Sequence, residues 1–264
     1  MRFKLTLEIL PEKFGRDIPI NYQYEMSAAI YRILSSANEE YSSWLHENGF
    51  VCEERDKVKR FKLFVFSNLT NGKFEPIADC ARLRIKSNFV DWYISFLPEK
   101  STEKFIQGLF NRREFEIGDK MSSVRFVVRN VVMMPSPEYK EEMDFVTISP
   151  VCLRKRAADG RVEYMSPKDI NATSAILTGL LGRYNAFYGY DFERKHDFEF
   201  NLLDEPRSKL IKIKAGSTSE TSVRGFMCKF HVKADVELIR IMYESGVGEE
   251  CSQGFGCIKE LNNN

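Results

Sequence analysis

Two prolines within three residues, Pro135 and Pro137, interrupt the chain, and the same succession of hydrophobic periodicities stands on either side of them. Proline fixes its own φ and has no amide hydrogen, so Met134-Pro135-Ser136-Pro137-Glu138 fits neither a helix interior nor a central strand. It reads as a linker between domains of residues 1–135 and 136–264. In the first half, Phe3, Leu5, Leu7 and Ile9 alternate with Lys4, Thr6 and Glu8, the pattern of a half-buried strand, ended by Pro11. Tyr24, Ala28, Ile30, Tyr31 and Leu34 then recur at helical spacing until Ser35-Ser36-Ala37-Asn38 interrupts them. Asn38 can cap a second short helix, with Glu39 and Glu40 in the first turn where the dipole favours acids and Asn48-Gly49 at its end. Strands are expected over 61–67, 81–86, 89–96 and 124–133, with a helix from Pro98 to about Phe110 before the last.

The second half repeats this order. A strand over 145–153 is broken at Pro150, a helix covers 171–187, and Phe198, Phe200 and Leu202 alternate on a strand. Residues 210–214 and 225–233 suggest a long hairpin around Gly216-Ser217-Thr218-Ser219. Asp235 caps a helix reaching Glu244, and a glycine-rich loop leads to a final strand over 257–261. Each half approximates β-α-β-β-α-β, so the expected fold is α+β: two tandem ferredoxin-like (RRM-like) domains with a C-terminal glycine-rich loop. The duplication is one of element order, without a residue-level repeat.

At roughly 150 residues per domain, 264 residues fit this division. The 39 basic and 38 acidic residues leave a net charge of +1, so any nucleic-acid surface must come from concentrating charge on one face. No apolar run is long enough for a membrane helix, and the alternating N-terminus is unlike a signal peptide, which points to the cytoplasm. The six cysteines form no C-x-x-C pair and read as reduced thiols. The three histidines show no ligand spacing, so neither metal nor cofactor is expected.

The sharpest local feature is G-V-G-E-E-C-S-Q-G-F-G, where Gly246, Gly248, Gly254 and Gly256 form two pairs, each bracketing one apolar residue. It lacks the Lys-Ser/Thr of a P-loop, and it follows a helix and precedes a strand, the reverse of a dinucleotide fingerprint. A helix C-terminus does not attract phosphate by its dipole, so binding there would use exposed backbone N–H groups; the alternative is a tight connection needing positive φ. This block resembles the C-terminal glycine-rich motif of the repeat-associated mysterious proteins, and within them the CRISPR repeat-processing endoribonucleases (the Cas-six family). R-F-K-L-T-L-E-I, I-N-Y-Q-Y-E-M-S-A-A-I-Y-R-I-L, L-H-E-N-G, F-K-L-F-V-F-S and D-F-V-T-I-S-P-V resemble that family in order and spacing. Glu249 and Glu250 stand in the loop where the family carries basic or small polar residues.

The resemblance implies a metal-independent endoribonuclease that cuts CRISPR repeat RNA with the RNA's own 2′-OH, and the matching positions are Tyr31, His46 and Lys62. Such cleavage needs a base at the 2′-OH, an acid at the departing 5′ oxygen and positive charge on the phosphate. His46 can serve as acid or base near neutrality, Lys62 can stabilise charge, and Tyr31 suits an orienting donor. Lys57, Lys59 and Arg60 are alternatives for the cation. On one unbroken helix, Tyr31 and His46 would lie about 22 Å apart, so a shared site requires the chain to fold back at the break before Asn38. Core packing for Tyr31 and a helix-end role for His46 are the competing readings. His196 sits in a charged surface run, and His231 alternates within a strand.

Candidate RNA contacts are Asn21 and Gln23, the basic residues Lys212, Lys214, Arg224, Lys229 and Lys233, and the four loop glycines. Phe226 and Phe230 interleave with the basic run, but no RNP1-like segment supports RRM-style base stacking. Expected partners are CRISPR repeat RNA, a CRISPR effector complex and a second copy of the chain in a homodimer. The rival reading is a non-catalytic RNA-binding or scaffold subunit of a guide-RNA complex; the discriminating feature is a site-competent His in the first domain, and His46 is present.

Overall fold

The computed structural model describes residues 1–261 except 55–56, 79, 158 and 195–196; His196 therefore lies outside the described residues. Six helices carry the labels α1 (Pro11–Phe14), α2 (Gln23–Ala37), α3 (Glu39–Glu47), α4 (Glu99–Asn111), α5 (Ala172–Tyr188) and α6 (Val236–Ser245). None is long and apolar enough to cross a membrane.

In the first half, Phe64–Phe66, Phe89–Phe96, Arg2–Leu10, Ser123–Met134 and Glu114–Gly118 form one antiparallel sheet in that order. With Glu114–Gly118 set aside as an added edge, the chain order of the four remaining strands across the sheet is 4-1-3-2, the ferredoxin-like arrangement. Phe3, Leu5, Leu7 and Ile9 are buried on one face of Arg2–Leu10 as their alternation requires, and they share a core with Met26, Ile30 and Ile33 of α2 and Phe105 of α4. Helices α2 and α4 meet at Gly108, where a Cβ would fall 1.9 Å from the carbonyl oxygen of Ile33.

In the second half, Glu199–Leu202, Lys229–Lys233, Glu142–Thr147 and Ile258–Glu260 form the other sheet in that order, again 4-1-3-2 by chain order and antiparallel. Phe145 and Phe230 pack with Ile176 and Leu180 of α5 and Ile239 and Met242 of α6. The halves are stitched by Arg2, which donates to the carbonyls of Ile258 and Tyr243 at 2.5 Å each and lies 3.6 Å over the Tyr243 ring. The Asn68 amide also donates to the Ile148 carbonyl at 3.0 Å.

Several elements differ from the sequence expectation. Helix α2 runs through Ala37, so the interruption is the single residue Asn38. The hairpin pairs Arg207–Ile213 with Thr221–Met227 and stops there. The Cys228 amide donates to the Thr147 hydroxyl at 2.9 Å, turning the chain out of the hairpin, and Lys229–Lys233 becomes a central strand of the four-stranded sheet. The long apolar-basic alternation continues through that corner, so period alone could not show it. The small pairings of Asp17–Pro19 with Arg82–Ile85 and of Arg154–Arg156 with Val162–Tyr164 were also not expected, being only three or four residues long.

Candidate active site and RNA-facing surface

The break between α2 and α3 builds the site. Asn38 is extended at φ −159°, and its side chain accepts a 2.6 Å hydrogen bond from the Tyr41 amide, so it ends one helix and caps the next. The Ser42 hydroxyl donates to the Tyr31 carbonyl at 2.9 Å and holds α3 back against α2. As a result the rings of Tyr31 and His46 meet edge to face with centroids 4.9 Å apart. The Tyr31 ring also packs edge to face with Phe64, with centroids 5.8 Å apart.

Lys62 follows the two-stranded hairpin Phe50–Glu54 and Lys57–Phe61, and its ammonium donates to the His46 carbonyl at 2.6 Å, at the C-terminal end of α3 where the helix dipole favours a cation. Gly49 makes this approach possible: at φ +65° it terminates the helix, and a Cβ there would lie 2.6 Å from the Phe61 carbonyl oxygen and 3.3 Å from Lys62 Nζ. Of the alternative cations, Lys59 and Arg60 lie on the preceding strand, and the side chain of Lys57 lies outside those described.

The electrostatics separate the three groups. Burial pushes the Tyr31 phenol well above its ordinary value, which makes it a donor rather than a base. Burial, and then the positive charge of Arg60, pull the Lys62 ammonium below its ordinary value. The His46 side chain is exposed, and among the described residues its imidazole and the Tyr31 hydroxyl make no hydrogen bond. His231 instead faces Asp144, Nδ1 to Oδ1 at 2.7 Å, within the second sheet. Among the described residues, no group of three or more His, Cys, Asp or Glu side chains is placed to hold a metal ion.

The RNA-contact candidates fall into three environments. Lys212, Lys214 and Arg224 are exposed on the hairpin; Lys212 pairs with Glu220 at 2.7 Å, and Arg224 donates to the Ser208 hydroxyl at 2.9 Å. Lys214 reaches across to α2, its ammonium 5.6 Å from the centre of the ring of Tyr24, which follows half-buried Asn21 closely along the chain. Lys229 and Lys233 lie on the other sheet, Lys233 within 3.6 Å of Glu142. Gln23 is buried and donates to the Asn68 side chain at 3.3 Å. Phe226 and Phe230 are buried, so they serve packing.

The four glycines are buried too, all at positive φ. A Cβ would lie 2.3 Å from the Cys152 carbonyl oxygen at Gly248, 2.1 Å from that of Val247 at Gly256, and 2.9 Å from the Phe66 ring at Gly254. The amides of Gly246, Gly254 and Gly256 donate to the carbonyls of Met242, Cys251 and Pro150. These glycines let backbone pack on backbone, and the segment closes against α2 through the Ser27 hydroxyl, which donates to the Ser252 carbonyl at 2.8 Å. Arg154 binds both Glu249 and Glu250, so the two acids that depart from the family pattern are charge-paired. Nothing local in the sequence marks Arg154, because its partners lie ninety-five residues or more away on the chain.

Two ferredoxin-like sheets in tandem, stitched through Arg2, define the class of protein. Comparison narrows it. Residues 17–132 match the family described as CRISPR-associated protein Cas6, N-terminal, and residues 134–260 match CRISPR associated protein Cas6, C-terminal. CRISPR-associated endoribonuclease Cas6 1 of Methanocaldococcus jannaschii is 30% identical over 265 residues, covering 97% of this chain and 91% of that protein. CRISPR-associated endoribonuclease Cas6 of Pyrococcus furiosus is 28% identical, covering 98% and 89%. The solved product of a Cas6-related gene from Pyrococcus furiosus superposes with a TM-score of 0.82 at 25% identity, covering 100% of this chain and 99% of its own. The chain belongs to the Cas6 family of CRISPR-associated endoribonucleases.

Proposed function

We propose that this chain cuts CRISPR repeat transcripts into guide RNAs without a metal, through Tyr31, His46 and Lys62, in the first of two domains divided near residues 135 and 136. The observation that carries the reading is the meeting of an exposed imidazole with the Tyr31 ring, centroids 4.9 Å apart, and of the Lys62 ammonium with the His46 carbonyl at 2.6 Å. In the reaction the RNA 2′ oxygen attacks the adjacent phosphorus as its proton leaves to a base, and the bond from phosphorus to the 5′ oxygen breaks as that oxygen takes a proton. A 2′,3′-cyclic phosphate and a 5′-OH result. His46 transfers one of these protons, Tyr31 donates a hydrogen bond to the phosphate or leaving oxygen, and Lys62 balances the charge that builds on the phosphoryl oxygens.

The transcript lies across both sheets, held by the exposed hairpin cations and by the edge where Lys214 meets α2. The guide passes to a CRISPR effector complex in the cytoplasm. Single-turnover cleavage of repeat RNA tests the reading. His46→Ala should lose about 10²–10⁴-fold in rate, the usual share of general acid–base catalysis, while affinity, dominated by phosphate contacts, changes little. A 2′-deoxy scissile nucleotide should abolish cutting, and a chelator should do nothing. Wild-type protein that binds the repeat without cutting it between pH 6 and 9 sinks the reading in favour of a non-catalytic RNA-binding subunit.

A further inference from the structure

Arg183 of α5 is 4% exposed and enters no ion pair among the described residues. A buried guanidinium without a carboxylate is costly, so its contacts should explain why it is there. One terminal nitrogen donates to the Gly248 carbonyl and lies 3.2 Å from Cys251 Sγ, while the other has no hydrogen-bond partner among the described residues. The guanidinium carbon sits 5.5 Å from the centre of the Phe61 ring. Helix α5 makes room for this arrangement at Gly182, a poor helix former. A Cβ at Gly182 would lie 3.1 Å from the Phe61 ring, tighter than an ordinary contact, whereas one at Gly179 would only touch the guanidinium at 3.4 Å. Phe61 immediately precedes Lys62, and an ideal Cβ at Gly49 would lie 2.6 Å from the Phe61 carbonyl oxygen. The segment carrying the site cation thus touches both the end of α3 and α5 of the other half.

We infer that Arg183 is a positioning residue for the cleavage site: it ties the glycine-rich segment to Phe61 and thereby fixes the Lys62 ammonium over the end of α3. The guanidinium plane suits both tasks, offering a donor to the Gly248 carbonyl at its edge and a cationic face to the ring. The inference rests on the assignment of Lys62 made above, and a double-mutant cycle separates the two. Single-turnover rates at saturating repeat RNA are measured for wild type, Arg183→Gln, Lys62→Ala and the double variant.

Arg183→Gln should slow cleavage about 10–100-fold, the scale on which a small misplacement of a reacting constellation is felt. It should add little once Lys62 is already Ala. A residue that merely supports the fold would multiply its loss onto that of Lys62→Ala. Phe61→Leu, which keeps Arg183 and its bond to Gly248, should show the same saturation, and it stands in if Arg183→Gln does not fold. Multiplicative losses overturn this inference alone. A wild-type rate for Lys62→Ala overturns it together with the role given to Lys62.

Discussion

A charge is worth what its surroundings leave of it. Lys212 and Lys214 lie two residues apart on the hairpin, but Lys212 is paired with Glu220 at 2.7 Å, whereas Lys214 extends its ammonium over the Tyr24 ring at the start of α2. Releasing a counterion from RNA requires positive charge not already neutralised by the protein. Lys214→Ala should therefore weaken binding of single-stranded repeat RNA and lower the slope of log affinity against log salt by about 0.7. Lys212→Ala should have a smaller effect on both, because the carboxylate of Glu220 already cancels much of its charge. Equal effects from the two substitutions, measured by salt titration, would show that the pairing with Glu220 does not survive in the complex. The same logic applies to Arg154, which is occupied by Glu249 and Glu250 and has little charge to spare for phosphate.

At the scale of elements, the candidate site is shaped by one residue between two helices. Asn38 ends α2 and caps α3, and the resulting reversal brings His46 onto Tyr31. Asn38→Ala removes the side-chain acceptor for the Tyr41 amide and should lower stability by about 1 kcal/mol in denaturant titration, whereas Asn38→Asp should restore most of it. Because α3 carries His46 at its last turn, cleavage at saturating RNA should fall in the Ala variant and recover in the Asp variant. A full rate with a lowered midpoint would mean that the Ser42 bond to the Tyr31 carbonyl alone keeps α3 in place. Glycines act at this scale as well: Gly49 and Gly182 permit the close contacts that seat Phe61 and Lys62.

For the whole molecule, the interior fixes the response to alkali. Burial pushes the Cys257 thiol up to about 11 and the Cys228 thiol up to about 12, and it raises the Tyr22 phenol to about 12. Each group has a higher value folded than unfolded, so its contribution is whole below the ordinary thiol or phenol value and disappears as the pH climbs through the folded one. The unfolded chain begins to lose thiol protons near pH 8.5, while the folded protein retains them. The thermal midpoint should hold between about pH 7 and 8 and fall progressively between about pH 9 and 11. A midpoint that rises across that upper window, followed by calorimetry, would contradict the burial of these thiols.

Much of this architecture was legible in the chain. The alternation of Phe3, Leu5, Leu7 and Ile9, the helical spacing of Ile30 and Leu34, the cap at Asn38 and the double proline are local signals, and each describes the residues that carry it. Two ferredoxin-like orders followed from them, and the sheets have that strand order. The need for the chain to fold back before His46 was also visible, because helix geometry alone keeps residues 31 and 46 far apart. The corner at Cys228, which moves Lys229 and Lys233 from the hairpin to the central sheet, was not visible, because a distant hydroxyl on Thr147 takes the amide that would have continued the pairing. Nor were the pairing of Arg154 with the two loop acids and the burial of Arg183 against Phe61, although two glycines inside one helix were a signal that something large packs there. The sequence by itself determined the main helices and strands and their order, because periodicity and capping are properties of neighbouring residues. Tertiary structure alone decided which cations stay free, which glycines serve packing and which side chain reaches His46, because each depends on groups brought together from distant parts of the chain.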